Sequence, residues 1–351
     1  MHTGYDHRDT GHCQQLIDII RCHLDLESLS DFYFASDSCP SVRINNDIKP
    51  VCDSKVTDDE IKALLNGLAF EGDSEKLPLD FGITFNGRRL RCNLDRRWQG
   101  LDLTIRLLPS RIKTLKELGF PEHLYQSMEL KQGLVLICGP TGSGKSTTMA
   151  SLIEYINSRY MKKIIMVEDP IEYIIKEQKS IISQRETGIG ESFHPHLRSA
   201  MRQHPDIIVV GEIRDRETAL VALQAAETGH LVLSTMHTDS AHQTVARFID
   251  MQPEDMKGNV RSSLSAVLRT VLVQRLIRGK NGAVRVAYEI CIVNRAISNI
   301  IRNDKLQQLP NQLISSDGCV PLNKSLDTLV SQGHITMEEA KRYSYDQEAL
   351  Q

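Results

Sequence analysis

The stretch Gly133–Ser146, GLVLICGPTGSGKS, decides how the chain is read. Its first six residues form a short apolar run suited to a strand buried on both faces. The next eight match G-x-x-x-x-G-K-[ST] at every fixed position, and STTMASLIEYIN then reads as a helix. Strand, glycine loop and helix in that order make a phosphate cradle. Gly142 and Gly144 let backbone N–H groups curl toward an anion without a Cβ clash. The helix that follows points its positive N-terminus at the same place. Gly139, Pro140, Thr141, Gly142, Ser143, Gly144, Lys145, Ser146 and Thr147 are therefore the expected nucleotide-binding residues. Lys145 would reach the β- and γ-phosphates, and Ser146 would ligate Mg²⁺.

Working outward, KKIIMVE (162–168), DIIVVGE (206–212) and HLVLSTM (230–236) are further short apolar runs. Helical stretches such as RETALVALQAAE separate them, which is the alternation of a doubly wound α/β core. Ligands of such sheets bind beyond the carboxyl ends of the strands. Phosphoryl transfer to water needs a carboxylate there to hold metal or orient the nucleophile. Glu168, with Asp169 and Glu172 just beyond it, and Glu212 are the candidates. His237 follows the fourth strand and is placed to sense a γ-phosphate, whereas His230 precedes that strand and suits a structural or subunit-contact role. Arg198, Arg202, Arg214 and Arg216 surround the Glu212 strand, and any of them could stabilise charge in the transition state. Arg91 and Arg106 are further candidates from the preceding part of the chain.

Before Leu108 the pattern differs. A helix is expected over 14–29, short strands at 30–34 and 41–45, and a helix at 57–68 opened by the capping box Thr57-x-x-Glu60. FGITF (81–85) and RRLRCNL (88–94) flank Asn86-Gly87, a hairpin turn signal, and LDLTIRLL (101–108) alternates. These segments describe a small α+β domain over 13–108, after an N-terminal extension at 1–12 and before a linker at 109–114. The ATPase domain is expected over 115–351, with a tail rich in helix formers from about Pro253 onward.

The 351 residues allow about two domains. The formal net charge of −3 and an aromatic content of 5% argue against a nucleic-acid-binding surface or a base-stacking platform. No apolar run approaches membrane-spanning length and the N-terminus lacks the pattern of a secretory signal. The eight cysteines never form Cys-x-x-Cys, which suits reduced cytoplasmic thiols. His2, His7, His12, Cys13, Cys22 and His23 gather near the N-terminus at spacings that fit none of the usual structural-zinc patterns.

Four ordered blocks, GPTGSGKS, IIMVEDPIEY, DIIVVGEIRD and AAETGHLVLSTMHT, resemble the motifs of the secretion and pilus motor ATPases, specifically the PilT-type retraction ATPases of type IV pili. The resemblance is weak before Leu108 and strong from Leu115 to Leu276. It implies a PAS-like N-terminal domain, a RecA-like ATPase domain and a homohexameric ring that binds ATP between domains. By residue, it implies phosphate and Mg²⁺ contacts from Lys145 and Ser146, water activation by Glu168 and Glu212, a γ-phosphate contact from His237, and nucleotide approach by Arg91 and Arg106. It further implies a cytoplasmic motor, peripheral to the inner membrane, that acts on a platform protein and through it on the filament. Two segments depart from the family pattern. Ala-Ile-Ser-Asn-Ile-Ile-Arg-Asn (296–303) replaces Ala-Ile-Arg-Asn-Leu-Ile-Arg-Glu, and Ser-Asp-Phe-Tyr-Phe (30–34) replaces Ser-Asp-Leu-His-Leu. A pilus-assembly, secretion or conjugation motor shares the same chemistry. A nucleic-acid translocase and a non-hydrolysing switch are the readings from other classes.

Overall fold

In a computed structural model the described residues are 16–350, apart from 27, 46, 75, 110, 127–129, 188–190 and 281. The chain divides into two compact units, one comprising 1–111 with 169–174, the other 112–168 with 175–351.

The first unit contains α1 (Leu16–His23), β1 (Leu29–Ala35), β2 (Ser41–Ile44), β3 (Asp47–Pro50), α2 (Asp58–Gly67), β4 (Leu79–Phe85), β5 (Arg88–Arg97) and β6 (Gly100–Leu107). Its sheet runs β3-β2-β1-β6-β5-β4 and is antiparallel throughout. Period-two patterning puts Phe32, Phe34, Leu90, Leu94, Leu103 and Ile105 into one core with Ile61 and Leu65 of α2. Each such side chain, fully removed from water, contributes about 1.5–3 kcal/mol. The Thr57 capping box forms as the sequence requires: its side chain accepts from Glu60 N–H and Glu60 reaches back. The helix expected over 14–29 is shorter, because Leu29 already belongs to β1. Of the N-terminal His/Cys group, His2, His7, His12 and Cys13 lie outside the described residues. Cys22 is exposed, and His23 bonds the Ile19 carbonyl oxygen at 2.8 Å.

The second unit begins with α3 (Glu122–Gln126), β7 (Gly133–Cys138), α4 (Lys145–Asn157), β8 (Lys163–Glu168) and β9 (Ile181–Glu186). It continues with α5 (Phe193–Met201), β10 (Ile207–Val210), α6 (Arg216–Glu227), β11 (Leu231–Met236), α7 (Ala241–Asp250) and α8 (Glu254–Val267). β12 (Leu268–Arg278), β13 (Val284–Ile292), α9 (Arg295–Arg302), α10 (Leu309–Ser315), α11 (Leu322–Ser331) and α12 (Met337–Tyr343) complete it. The sheet order is β13-β12-β7-β11-β10-β8-β9, with only β13 antiparallel to its neighbour. Every residue of β7, β10 and β11 is buried, as expected of central strands covered on both faces.

The tail expected to be helical from Pro253 contains the β12–β13 hairpin. Val271, Leu272 and Val273 pair with Leu136, Ile137 and Cys138, so their burial comes from the sheet rather than from a helix face. No described helix is long and apolar enough to cross a membrane.

Candidate functional site

Parallel pairing brings the carboxyl ends of β7, β11, β10 and β8 to one edge in that order. The loop 139–144, His237, Glu212 and Glu168 follow those strand ends, and so form a row in the same order. With neighbouring strands about 4.8 Å apart, Glu168 lies three spacings, about 14 Å, from the β7 strand end.

The glycine loop is shaped by its surroundings. Gly139 has φ 145°, and a Cβ there would stand 2.4 Å from Gln274 O and 2.5 Å from Ser143 Oγ. Gly144, in the left-handed region at φ 86°, is the N-cap of α4 and supplies no side-chain cap. A helix N-terminus of this kind attracts an anion. Lys145 is buried, and its Nζ donates to the Gly139 and Pro140 carbonyl oxygens at 2.9 Å each. These bonds hold the ammonium within the loop's hollow.

Beside it, Glu212 Oε2 lies 3.3 Å from His237 Nε2, and Arg214 pairs with Oε1. The Glu212 carboxylate is largely covered, while Arg214 is mostly exposed. The position of Glu212 is over-determined by the backbone: Gly211 N–H donates to Val167 O, Ile213 N–H to Thr235 O, and Thr235 Oγ1 to Gly211 O. Arg247 donates to the His237 carbonyl oxygen at 2.9 Å. Burial, and next the positive charge of Lys145, hold the His237 pKa below the usual histidine value against the opposing pull of Glu212. The ring is therefore kept in its neutral form at neutral pH.

The remaining candidates are distributed elsewhere. Glu168 Oε1 accepts from Gln184 Nε2 of β9 at 3.1 Å. Asp169 and Glu172 belong to the first unit, where Glu172 lies 3.7 Å from Arg91 and the Asp169 charge also acts on that guanidinium. Arg91 and Arg106 are directly opposite in the β5–β6 register. Arg91 is bidentate to Asp80, at 3.1 and 2.6 Å, and Arg106 Nε donates to buried Asp31 at 2.8 Å. Arg198 and Arg202 are exposed along α5, lining a groove of about 430 Å³ with His194 and Gln203. Arg216 reaches Met256 Sδ at 3.2 Å. His230 bonds the Ala225 carbonyl oxygen at 3.0 Å, at the end of β11 opposite the glycine loop.

Sequence reasoning missed Gln274, whose Nε2 donates to the Ser143 carbonyl oxygen at 2.6 Å and which is buried on β12. Only recognition of β12 as a strand next to β7 could have pointed to it. It also missed a cavity of about 360 Å³ that opens beside Gly144 and Thr147 and is lined by Gln274, Leu276, Tyr288 and His334.

A glycine loop joining a buried strand to a helix N-terminus, flanked by a covered carboxylate and a histidine on adjacent strand ends, defines a P-loop nucleotide-binding core. The family described as Type II/IV secretion system protein matches residues 76–342. The type IV pilus retraction ATPase PilT of Pseudomonas aeruginosa is 38% identical over 323 residues, covering 90% of this chain and 94% of that protein. A twitching motility protein of Neisseria gonorrhoeae is also 38% identical, over 89% of this chain and 86% of its own length. A crystal structure of the pilus retraction motor PilT with bound ADP superposes with a TM-score of 0.88 at 40% identity, covering 96% and 98% of the two chains. The chain belongs to the type II/IV secretion system protein family, in its PilT-type branch of nucleotide-binding ATPases.

Proposed function

We propose that the chain is an ATP-hydrolysing motor that withdraws type IV pili, working as a homohexamer. Its place is the cytoplasmic side of the inner membrane, peripheral to it, where a pilus platform protein would relay force to the filament. The observation that carries this reading is the extent of the likeness to PilT, which runs through nearly the whole of both chains. Nucleic acid has no part in the reading.

In the proposed cycle, Lys145 exchanges its two loop carbonyls for the β- and γ-phosphates, guided by the N–H groups of residues 144–147. Among the described residues no group of three or more His, Cys, Asp or Glu could hold a metal ion. A magnesium site of the nucleotide kind needs none, since one hydroxyl or carboxylate plus phosphate oxygens and water completes it. Ser146, partly exposed on the first turn of α4, supplies such an oxygen. Bound there, magnesium would neutralise developing charge on the phosphates. Glu212 orients the attacking water, and neutral His237, 3.3 Å away, donates to it or to the γ-phosphate. Glu168 is the second carboxylate of the row. Arg91 and Arg106 act on the nucleotide only after leaving Asp80 and Asp31, and so respond to nucleotide state. Arg214, released from Glu212, supplies a further positive charge.

Deleting the gene in a piliated host and counting surface pili tests the direction of the motor. Excess pili with lost twitching supports withdrawal, whereas bald cells would assign the chain to assembly. Complementation with Lys145→Ala should restore neither phenotype.

A further inference from the structure

Cys291 on β13 and Cys319, in the turn before α11, face each other across a short backbone pairing. Ile290 and Val320 exchange both N–H···O bonds, each at 2.8 Å, as an isolated antiparallel bridge. One step along an antiparallel ladder from such a pair, residues 291 and 319 occupy the non-hydrogen-bonded position, where Cα atoms stand about 4.5 Å apart. That separation lies inside the range a disulfide spans. Both thiols are free and buried, Cys291 at 1% exposure and Cys319 at 7%. The two sulfurs are close enough for each to shift the other's pKa, Cys291 upward and Cys319 downward. Ile292 N–H donates to Cys319 Sγ at 3.3 Å, and the Cys319 thiol in turn donates to the Ile292 carbonyl oxygen at 3.5 Å. Gly318, at φ 77°, allows the turn to come this close, since a Cβ there would stand 3.0 Å from Ile292 Cδ1.

We propose that Cys291 and Cys319 form a redox-active dithiol, which a peroxide converts into an intramolecular disulfide. A buried cysteine ordinarily serves only as a small apolar core residue. Two features separate this pair from that role: the 290–320 bridge sets the two cysteines opposite each other, and a backbone N–H is aimed at the Cys319 sulfur. The neighbouring Cys291 thiol, and then the Ile292 backbone, hold the Cys319 pKa below the usual thiol value, while the proximity of Cys319 and burial push Cys291 up. Cys319, the more exposed of the two, is thus the attacking group and Cys291 the resolving one. The Cys319 thiolate attacks one oxygen of hydrogen peroxide, the O–O bond breaks and hydroxide leaves, giving a sulfenic acid. Cys291 gives up its proton as its sulfur attacks Cys319 Sγ, the S–O bond breaks and water leaves. In sum two thiols and one peroxide give a disulfide and two waters. The bond closes a ring containing α9, which carries most of the segment 296–303 whose sequence departs from the retraction signature, and ties the turn beyond it to β13.

The full-length reduced protein is treated with hydrogen peroxide, alkylated in denaturant with N-ethylmaleimide and mapped by peptide mass spectrometry. A reductant-reversible cross-link between the peptides of Cys291 and Cys319 is expected, with Tm higher by about 5–10 °C for a ring of this length. Cys291→Ser should leave a sulfenic acid on Cys319 that dimedone traps, and Cys319→Ser should leave Cys291 alkylatable. Dimedone labelling at Cys291 instead, a cross-link to another cysteine, or unreacted thiols at both positions in folded protein would each overturn the proposal.

Discussion

Gln274 Nε2, on β12, donates to the Ser143 carbonyl oxygen at 2.6 Å, across a sequence separation of 131 residues. The phosphate loop is thus braced by the late hairpin, not only by β7 and α4, which flank it in sequence. Both partners are buried, so the bond has no ready replacement from water. Gln274→Ala leaves a buried acceptor unsatisfied, at a cost of about 1–3 kcal/mol. If the brace pre-forms the nucleotide-binding loop, affinity for ADP should fall about tenfold. Titration with a fluorescent ADP analogue checks this, and wild-type affinity in a folded variant would remove the role.

The row formed by the loop, His237, Glu212 and Glu168 separates binding from turnover. Lys145→Ala removes the charge that answers the phosphates, and nucleotide binding and turnover should both be lost. Glu212→Gln preserves volume but cannot act as the carboxylate that holds the attacking water. Its turnover should fall about 100-fold or more, with ATP binding kept. Phosphate release and ATP titration on the same preparation distinguish the two. Turnover retained by the Glu212 variant would exclude Glu212 from the chemistry.

Much of this row was legible in the sequence because its parts are local. Each strand of the row is a short apolar run that ends at its functional residue or within two residues of it. What escaped was non-local. β12 and β13 carry arginines, glutamine and glutamate among their valines and isoleucines, so their residues pass for helix formers until the sheet pairs them. β9 escaped because an edge strand, IISQRE, has no need of continuous apolar residues. The ion pairs that hold Arg91 and Arg106 came from Asp80 and Asp31, and register across a sheet cannot be read from one strand alone.

Residue His237 gives the site a predictable acid limb. Its pKa lies below the usual 6.5, chiefly through burial and then through Lys145. In the unfolded chain the same ring takes a proton near pH 6.5, so between the two values the unfolded state binds more protons. The stability contributed by a neutral His237 is therefore present above about pH 6.5 and declines as pH falls through that window. His237→Gln, which cannot titrate, should flatten the loss of Tm between about pH 7.5 and about pH 5.5. Parallel Tm-against-pH curves for wild type and variant would place the titration elsewhere.

Glu289 on β13 ties the hairpin to two helices at once. Its Oε1 accepts from Ala241 N–H at 2.7 Å, at the start of α7, and its carboxylate also accepts from the Leu322 N–H, at the start of α11. The side chain is buried, and desolvation raises its pKa above the usual glutamate value while the two N–H donors and Arg275 oppose the rise. Glu289→Gln keeps one carbonyl acceptor but turns the other position into an NH₂ facing a donor. Leaving one buried helix N–H unsatisfied should cost about 1–3 kcal/mol. In a unit the size of the second one that lowers Tm by a few degrees, about 2–4 °C for each kcal/mol. Glu289→Ala, which strands both donors and opens a cavity, should cost more than Gln. Differential scanning calorimetry of both variants gives the order. A Gln variant as stable as wild type would mean that the two helix starts find other acceptors, and that Glu289 does not hold α7 and α11 to the sheet.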